Sequence, residues 1–110
     1  MDVRAERVGK NEALFRHVNE RIEDVNRAFA PPAERIDIVC ECGTARCAER
    51  VELSVPDYER VRSDPRRFIL LEGHDDPELE RVVERGDGWV VVEKHEGEAA
   101  EVAEQTDPRS

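Results

Sequence analysis

All three cysteines of this chain fall within eight residues, Cys40-Glu41-Cys42-Gly43-Thr44-Ala45-Arg46-Cys47, and a Gly-His pair, Gly73-His74, follows downstream. No other feature constrains the fold as strongly. Three sulfurs on one short loop either crowd together as thiols or share a partner, and the partner thiolates favour is a soft or borderline metal ion. The chain also needs such a staple. A domain of 110 residues buries roughly 65% of the surface its unfolded chain exposes, and here 40% of the residues are charged and only five are aromatic.

Clustered thiols in a chain with no signal peptide read as ligands in a reducing cytoplasm rather than as disulfides. No apolar run approaches the length of a membrane span. The net charge of −10 is concentrated toward the C-terminus, where residues 72–94 carry −5 and residues 95–110 carry −4. Binding to a phosphate backbone depends on clustered Lys and Arg that release counterions, so nucleic acid is not an expected partner, and neither is a membrane.

Residues 1–10 are polar and read as a flexible N-terminus. From Asn11, a plausible N-cap, the apolar residues Leu14, Val18, Ile22, Val25 and Phe29 recur at helical spacing, with Phe15 widening the stripe. Glu12, Arg16, Glu20, Glu23, Asp24 and Arg27 occupy the other face, and Pro31-Pro32 ends the helix. The stripe is expected to cover one side of a sheet; the alternative is a short seam for homodimerisation through residues 11–30. His17 lies at the edge of this helix and reads as solvated.

Ile36, Ile38 and Cys40 alternate as in a half-buried strand, and Val51, Leu53 and Val55 do the same beyond the cysteines. The two form a hairpin whose tip holds the cysteine loop. Ser54-Val55-Pro56-Asp57 has the form of a capping box opening a short helix through Tyr58, Val61 and Arg62. Phe68-Ile69-Leu70-Leu71 reads as a central strand covered on both faces and leads directly to Gly73-His74. Residues 79–85 fit a helix or an irregular strand; the turn signal Gly86-Asp87-Gly88 and the β-prone Trp89-Val90-Val91-Val92 favour a strand. Residues 95–110, including His95, read as a disordered acidic tail. The expected architecture is therefore α+β: one domain over residues 11–94, with an N-terminal amphipathic helix and a short second helix on a small, mainly antiparallel sheet of four or five strands.

Cys40, Cys42, Cys47 and His74 form the candidate metal site. Zinc in structural sites takes four such donors in a tetrahedron and ionises the cysteines. His74 is preferred as the fourth ligand because a glycine turn follows the predicted strand, with Asp75 and Asp76 as rivals or as supports for the imidazole. Arg46 and Arg50 are expected near the excess negative charge of three thiolates. The same residue set suits a [2Fe–2S] cluster or a thiol redox switch. No phosphate-cradling glycine loop, serine elbow or His-Glu helix pair suggests an enzyme.

Asn19-Glu20-Arg21-Ile22-Glu23, Cys40-Glu41-Cys42, Asp57-Tyr58-Glu59-Arg60-Val61-Arg62, Arg67-Phe68, Gly73-His74 and Glu80-Arg81-Val82-Val83-Glu84 together resemble a group of small bacterial proteins from GC-rich, actinomycete-type genomes. The resemblance covers residues 11–94 and implies that the cysteine triplet and the Gly-His belong to one site. It implies no substrate. The expected function is a small cytoplasmic zinc-binding module of Cys3His type with a structural metal, acting as a protein-interaction or regulatory domain. Its partner would be another protein, met through an arginine-bearing face around Arg46, Arg50, Arg60, Arg62, Arg66 and Arg67 or through the first helix. A redox or metal sensor is the alternative.

Overall fold

The structure is a computed structural model that describes residues 3–29, 31–44 and 47–109. Its elements run α1 (Val3–Arg27), β1 (Arg35–Val39), β2 (Arg50–Ser54), α2 (Val55–Arg62), β3 (Arg67–Leu71), β4 (Glu80–Arg85), β5 (Trp89–Lys94) and α3 (Glu98–Gln105). The fold is α+β, as expected. The five strands form two antiparallel sheets, however, one of order β1-β2 and one of order β3-β5-β4. In the first, Ile36 pairs with Leu53 and Ile38 with Val51, so the alternating residues build one apolar face. Ser54 then caps α2, its Oγ accepting from the Asp57 amide at 3.2 Å.

The central strand of the second sheet is β5, whose Trp89–Val92 run is buried throughout. Phe68, Ile69 and Leu70 are buried as predicted, but β3 is an edge strand. Its outer edge is closed by the cysteine segment. Glu41 donates its amide to the Ile69 carbonyl at 2.9 Å, the Ile69 amide donates to Glu41 Oε1 at 2.9 Å, and the Leu71 amide donates to Cys40 Sγ at 3.2 Å. The knuckle thus stitches the hairpin to the larger sheet.

The first helix reverses the expected face. Its inward residues are Glu12, Arg16, Asn19, Glu23 and Asn26, all buried, while Leu14, Val18, Val25 and Phe29 are exposed. The physical reason lies in what α1 packs against. Its neighbours are ends and edges of elements, rich in backbone groups that need partners, and polar side chains supply them. Asn19 accepts from the Val39 amide at 2.8 Å and donates to the Val39 carbonyl at 2.8 Å, as a neighbouring strand would. Asn26 does the same for Ala33. Arg16 donates to the carbonyls of Pro65 and Ala103 and lies 4.6 Å from the centre of the Phe68 ring.

Both termini differ from expectation as well. The helix starts at Val3 rather than at an Asn11 cap, and Asn11 donates instead to the Gly43 carbonyl at 2.9 Å. The expected acidic tail contains α3, which buries Ala100 and Ala103 and receives the Arg16 contacts. Two alanines one turn apart let the helix approach closely, a weaker sequence signal than a stripe of large apolar residues.

Glu12 meets Lys94 at 2.5 Å, and Lys94 also meets Glu80 at 2.5 Å, all three buried. Burial, against which Lys94 pulls the other way, pushes the Glu12 carboxyl from its ordinary 4.5 up to about 7. The native state therefore holds this proton more tightly than the unfolded chain. The stabilising contribution is full below about pH 4.5 and is lost as pH rises through about 7. Glu12→Gln is expected to flatten the decline in melting temperature between about pH 4.5 and about 7; parallel melts of the two proteins over that range check it.

Candidate metal centre

The knuckle is built from extended backbone. In such a segment residues two apart point to the same side, so Cys40 and Cys42 project together while Glu41 projects away from them. Cys40 keeps the hairpin ladder going with its amide to the Glu49 carbonyl at 2.9 Å. Gly43 then turns the chain at φ +77°, and the Cys47 amide returns to the Thr44 carbonyl at 2.9 Å. The fourth residue arrives from the end of β3: Gly73 at φ +89° and the His74 amide bonded to the Leu71 carbonyl at 3.1 Å bring the imidazole back over the loop.

The three sulfurs and the His74 ring nitrogen all lie within 4.8 Å of one another. His74 Nδ1 is 3.7 Å from Cys40 Sγ and 3.7 Å from Cys47 Sγ. A tetrahedral ion with Zn–S near 2.3 Å and Zn–N near 2.1 Å sets such S···N edges at about 3.6 Å. Both S···N separations therefore match that edge, and the donor set has the type and number that one tetrahedral ion requires. Of the rival ligands, Asp76 is engaged in the following turn, where its Oδ1 accepts from the Glu78 amide at 3.1 Å, and neither Asp75 nor Asp76 joins the group.

Each sulfur also receives a backbone N–H, from Leu71 on Cys40, Thr44 on Cys42 and Glu49 on Cys47. Such bonds would offset part of the negative charge of three metal-bound thiolates. The sulfurs perturb one another in turn. A hydrogen bond from Cys40 is the main cause that holds the Cys42 thiol down to about 4, and the same bond pushes Cys40 well above the usual thiol range. Burial pushes Cys47 up. Of the two arginines expected here, Arg46 lies outside the described residues, and Arg50 pairs with Asp37 across the hairpin.

Behind the site lies a layer that spacing arguments did not find. Glu41 is fully buried, and both its oxygens accept from Arg62 Nη2 at 2.7 Å, while Oε2 also accepts from Asn19 at 2.7 Å. It thereby ties the knuckle to α1, α2 and β3. Flanking by two cysteines was its one sequence signal, since a carboxylate between two thiolate ligands must find a cation on its opposite side.

Gly43 marks the closest approach of knuckle and helix. A Cβ there would lie 2.7 Å from Val8 Cγ1, 2.9 Å from Glu12 Cγ and 3.1 Å from the Val8 carbonyl oxygen. Together with the positive φ, this makes Gly43→Ala costly by about 1–3 kcal/mol. It is expected to lower both the melting temperature and the retention of metal against a chelator, whereas Gly73→Ala, with open space around the added carbon, carries the conformational cost alone.

No family model matches the chain, and comparison with curated proteins and with solved structures finds no match to it.

Proposed function

We propose that this chain is a small zinc-binding module of Cys3His type whose metal is structural and whose task is to present an interaction surface to another protein. The observation that carries the reading is the convergence of Cys40, Cys42, Cys47 and His74 on one point from the hairpin tip and the end of β3. Four protein donors fill a tetrahedral shell and leave no position for substrate, which favours a structural over a catalytic ion. The 3.7 Å separations favour one ion over a two-iron cluster, whose two metals would spread the ligands further apart. No described helix is long and apolar enough to cross a membrane.

Metal analysis by mass spectrometry on untagged protein purified without chelator, with an absorption spectrum of the same sample, tests the reading. One zinc per chain and no visible absorption is the expected result. Iron with charge-transfer bands would replace it with electron transfer.

A second reading rests on the depressed Cys42 thiol and the partial exposure of Cys42 and Cys47. Thiolates of this kind are the ones oxidants reach. In that reading oxidation pairs two of the cysteines and releases the metal. Reversible zinc release by mild peroxide, with a change of shape or association state, would support it; metal retained under the same treatment leaves the structural module standing.

A further inference from the structure

The outward face of α1 carries Leu14, Val18, Val25 and Phe29 at 58%, 38%, 56% and 63% exposure. Ile22 lies half-buried beside them, and Val18, Arg21, Ile22 and Val25 line a shallow groove at the middle of the stripe. Single exposed apolar residues are ordinary, but a continuous band about 22 Å long on one helix is not. The helix carries it through Arg27, and a tightened last turn, with the Phe29 amide on the Asn26 carbonyl at 3.2 Å, extends it to Phe29.

The order of these residues is symmetrical. Leu14 and Phe29, Val18 and Val25, and Arg21 and Ile22 are each equidistant from a point between residues 21 and 22. A band that reads alike from both ends complements itself under a two-fold axis across the helix, the commonest symmetry of homo-oligomers. We infer that the band is a homodimer interface in which two copies pack antiparallel through α1. Leu14 then meets the partner's Phe29, Val18 meets the partner's Val25, and the central groove lies on the axis.

Charge favours a second copy over an unrelated apolar partner. Arg21 and Asp24 stand exposed on one flank of the band, and among the described residues neither belongs to an ion pair. In an antiparallel pair each flank meets the same flank of the other copy, so the two Arg21 side chains lie together near the axis and each has the partner's Asp24 within one turn, the two acids balancing the two arginines. The arginine-bearing face expected from the sequence offers less. Arg50, Arg60, Arg66 and Arg67 are paired with acids of their own chain, and Arg62 is buried on Glu41.

The inference names the partner of the module proposed above and rests on that reading. One helix against one helix falls below the about 1,200 Å² of a standard interface, so weak, concentration-dependent dimerisation is expected. Sedimentation of the full, zinc-loaded chain from low micromolar to submillimolar concentration, with zinc measured on the same sample, tests it. Val18→Glu with Val25→Glu alters exposed positions and, with each change counted twice about the axis, is expected to weaken the dimer at least about 100-fold while leaving circular dichroism and melting intact. Arg21→Asp weakens it by repulsion from the partner's Asp24, and adding Asp24→Arg restores it. A zinc-loaded monomer at every concentration overturns the dimer alone, and a folded metal-free dimer overturns the metal module alone. A dimer indifferent to the valine changes, or a charge exchange that restores nothing, overturns the antiparallel contact.

Discussion

Cys42→Ser is expected to abolish cooperative folding of the chain near room temperature, and chelation of the wild type to do the same. Structural zinc sites contribute an apparent ~10–16 kcal/mol at neutral pH, against a total stability of about 5–15 kcal/mol for a domain. The loss propagates here because the proposed ligands are also structural joints. Cys40 carries a ladder bond of the hairpin on its amide and a bond from β3 on its sulfur. The serine keeps most of the volume of Cys42 and can still accept a hydrogen bond, so any large effect comes from the missing thiolate. Loss of the near-ultraviolet signal and of a sharp melting transition, together with substoichiometric zinc, is the expected result. A variant that melts like the wild type would show that the fold stands without its metal.

Arg62→Met is expected to cost about 3–5 kcal/mol, the usual consequence of stranding one half of a buried ion pair. At roughly 4 °C per kcal/mol for a chain of this size, the melting temperature falls by more than about 12 °C. Glu41 would keep Asn19 and the Ile69 amide but lose its cation. The pair is not optimised for stability alone, since Arg62 Nε and Nη1 are buried without a hydrogen-bond partner among the described residues. Replacing both residues, Glu41→Gln with Arg62→Met, should therefore be less damaging than the sum of the two single changes, and a double-mutant cycle by thermal or denaturant melting measures the difference. Additive losses would mean that Glu41 and Arg62 act independently.

The parts of the fold with a strong local signal were legible in the sequence. Alternation around the cysteines marked the hairpin, Ser54 and Pro56 marked the start of α2, and Gly86-Asp87-Gly88 before Trp89 marked the β4–β5 turn. The convergence of His74 with the three cysteines followed from a strand ending in Gly73-His74. The orientation of α1 did not follow from its pattern. An apolar stripe reads as the inward face only if the helix covers apolar surface, and α1 covers backbone groups that Arg16, Asn19 and Asn26 satisfy. Long-range pairings such as Glu41–Arg62 and Glu12–Lys94 leave no periodic trace, because each joins positions whose proximity depends on the finished fold. The short helix α3 was hidden for a related reason: its buried residues are alanines within an acidic run.

The knuckle's bonds to β3 also protect the chain from its own kind. Phe68-Ile69-Leu70-Leu71 is a short apolar stretch without charge, proline or glycine, the composition that recruits further strands when its edge is open. Cys40 and Glu41 occupy that edge by taking the amides of Leu71 and Ile69 and donating to the Ile69 carbonyl. The segment proposed to bind the metal is thus also a gatekeeper, and loss of such an ion would uncover a template for aggregation as well as lowering stability.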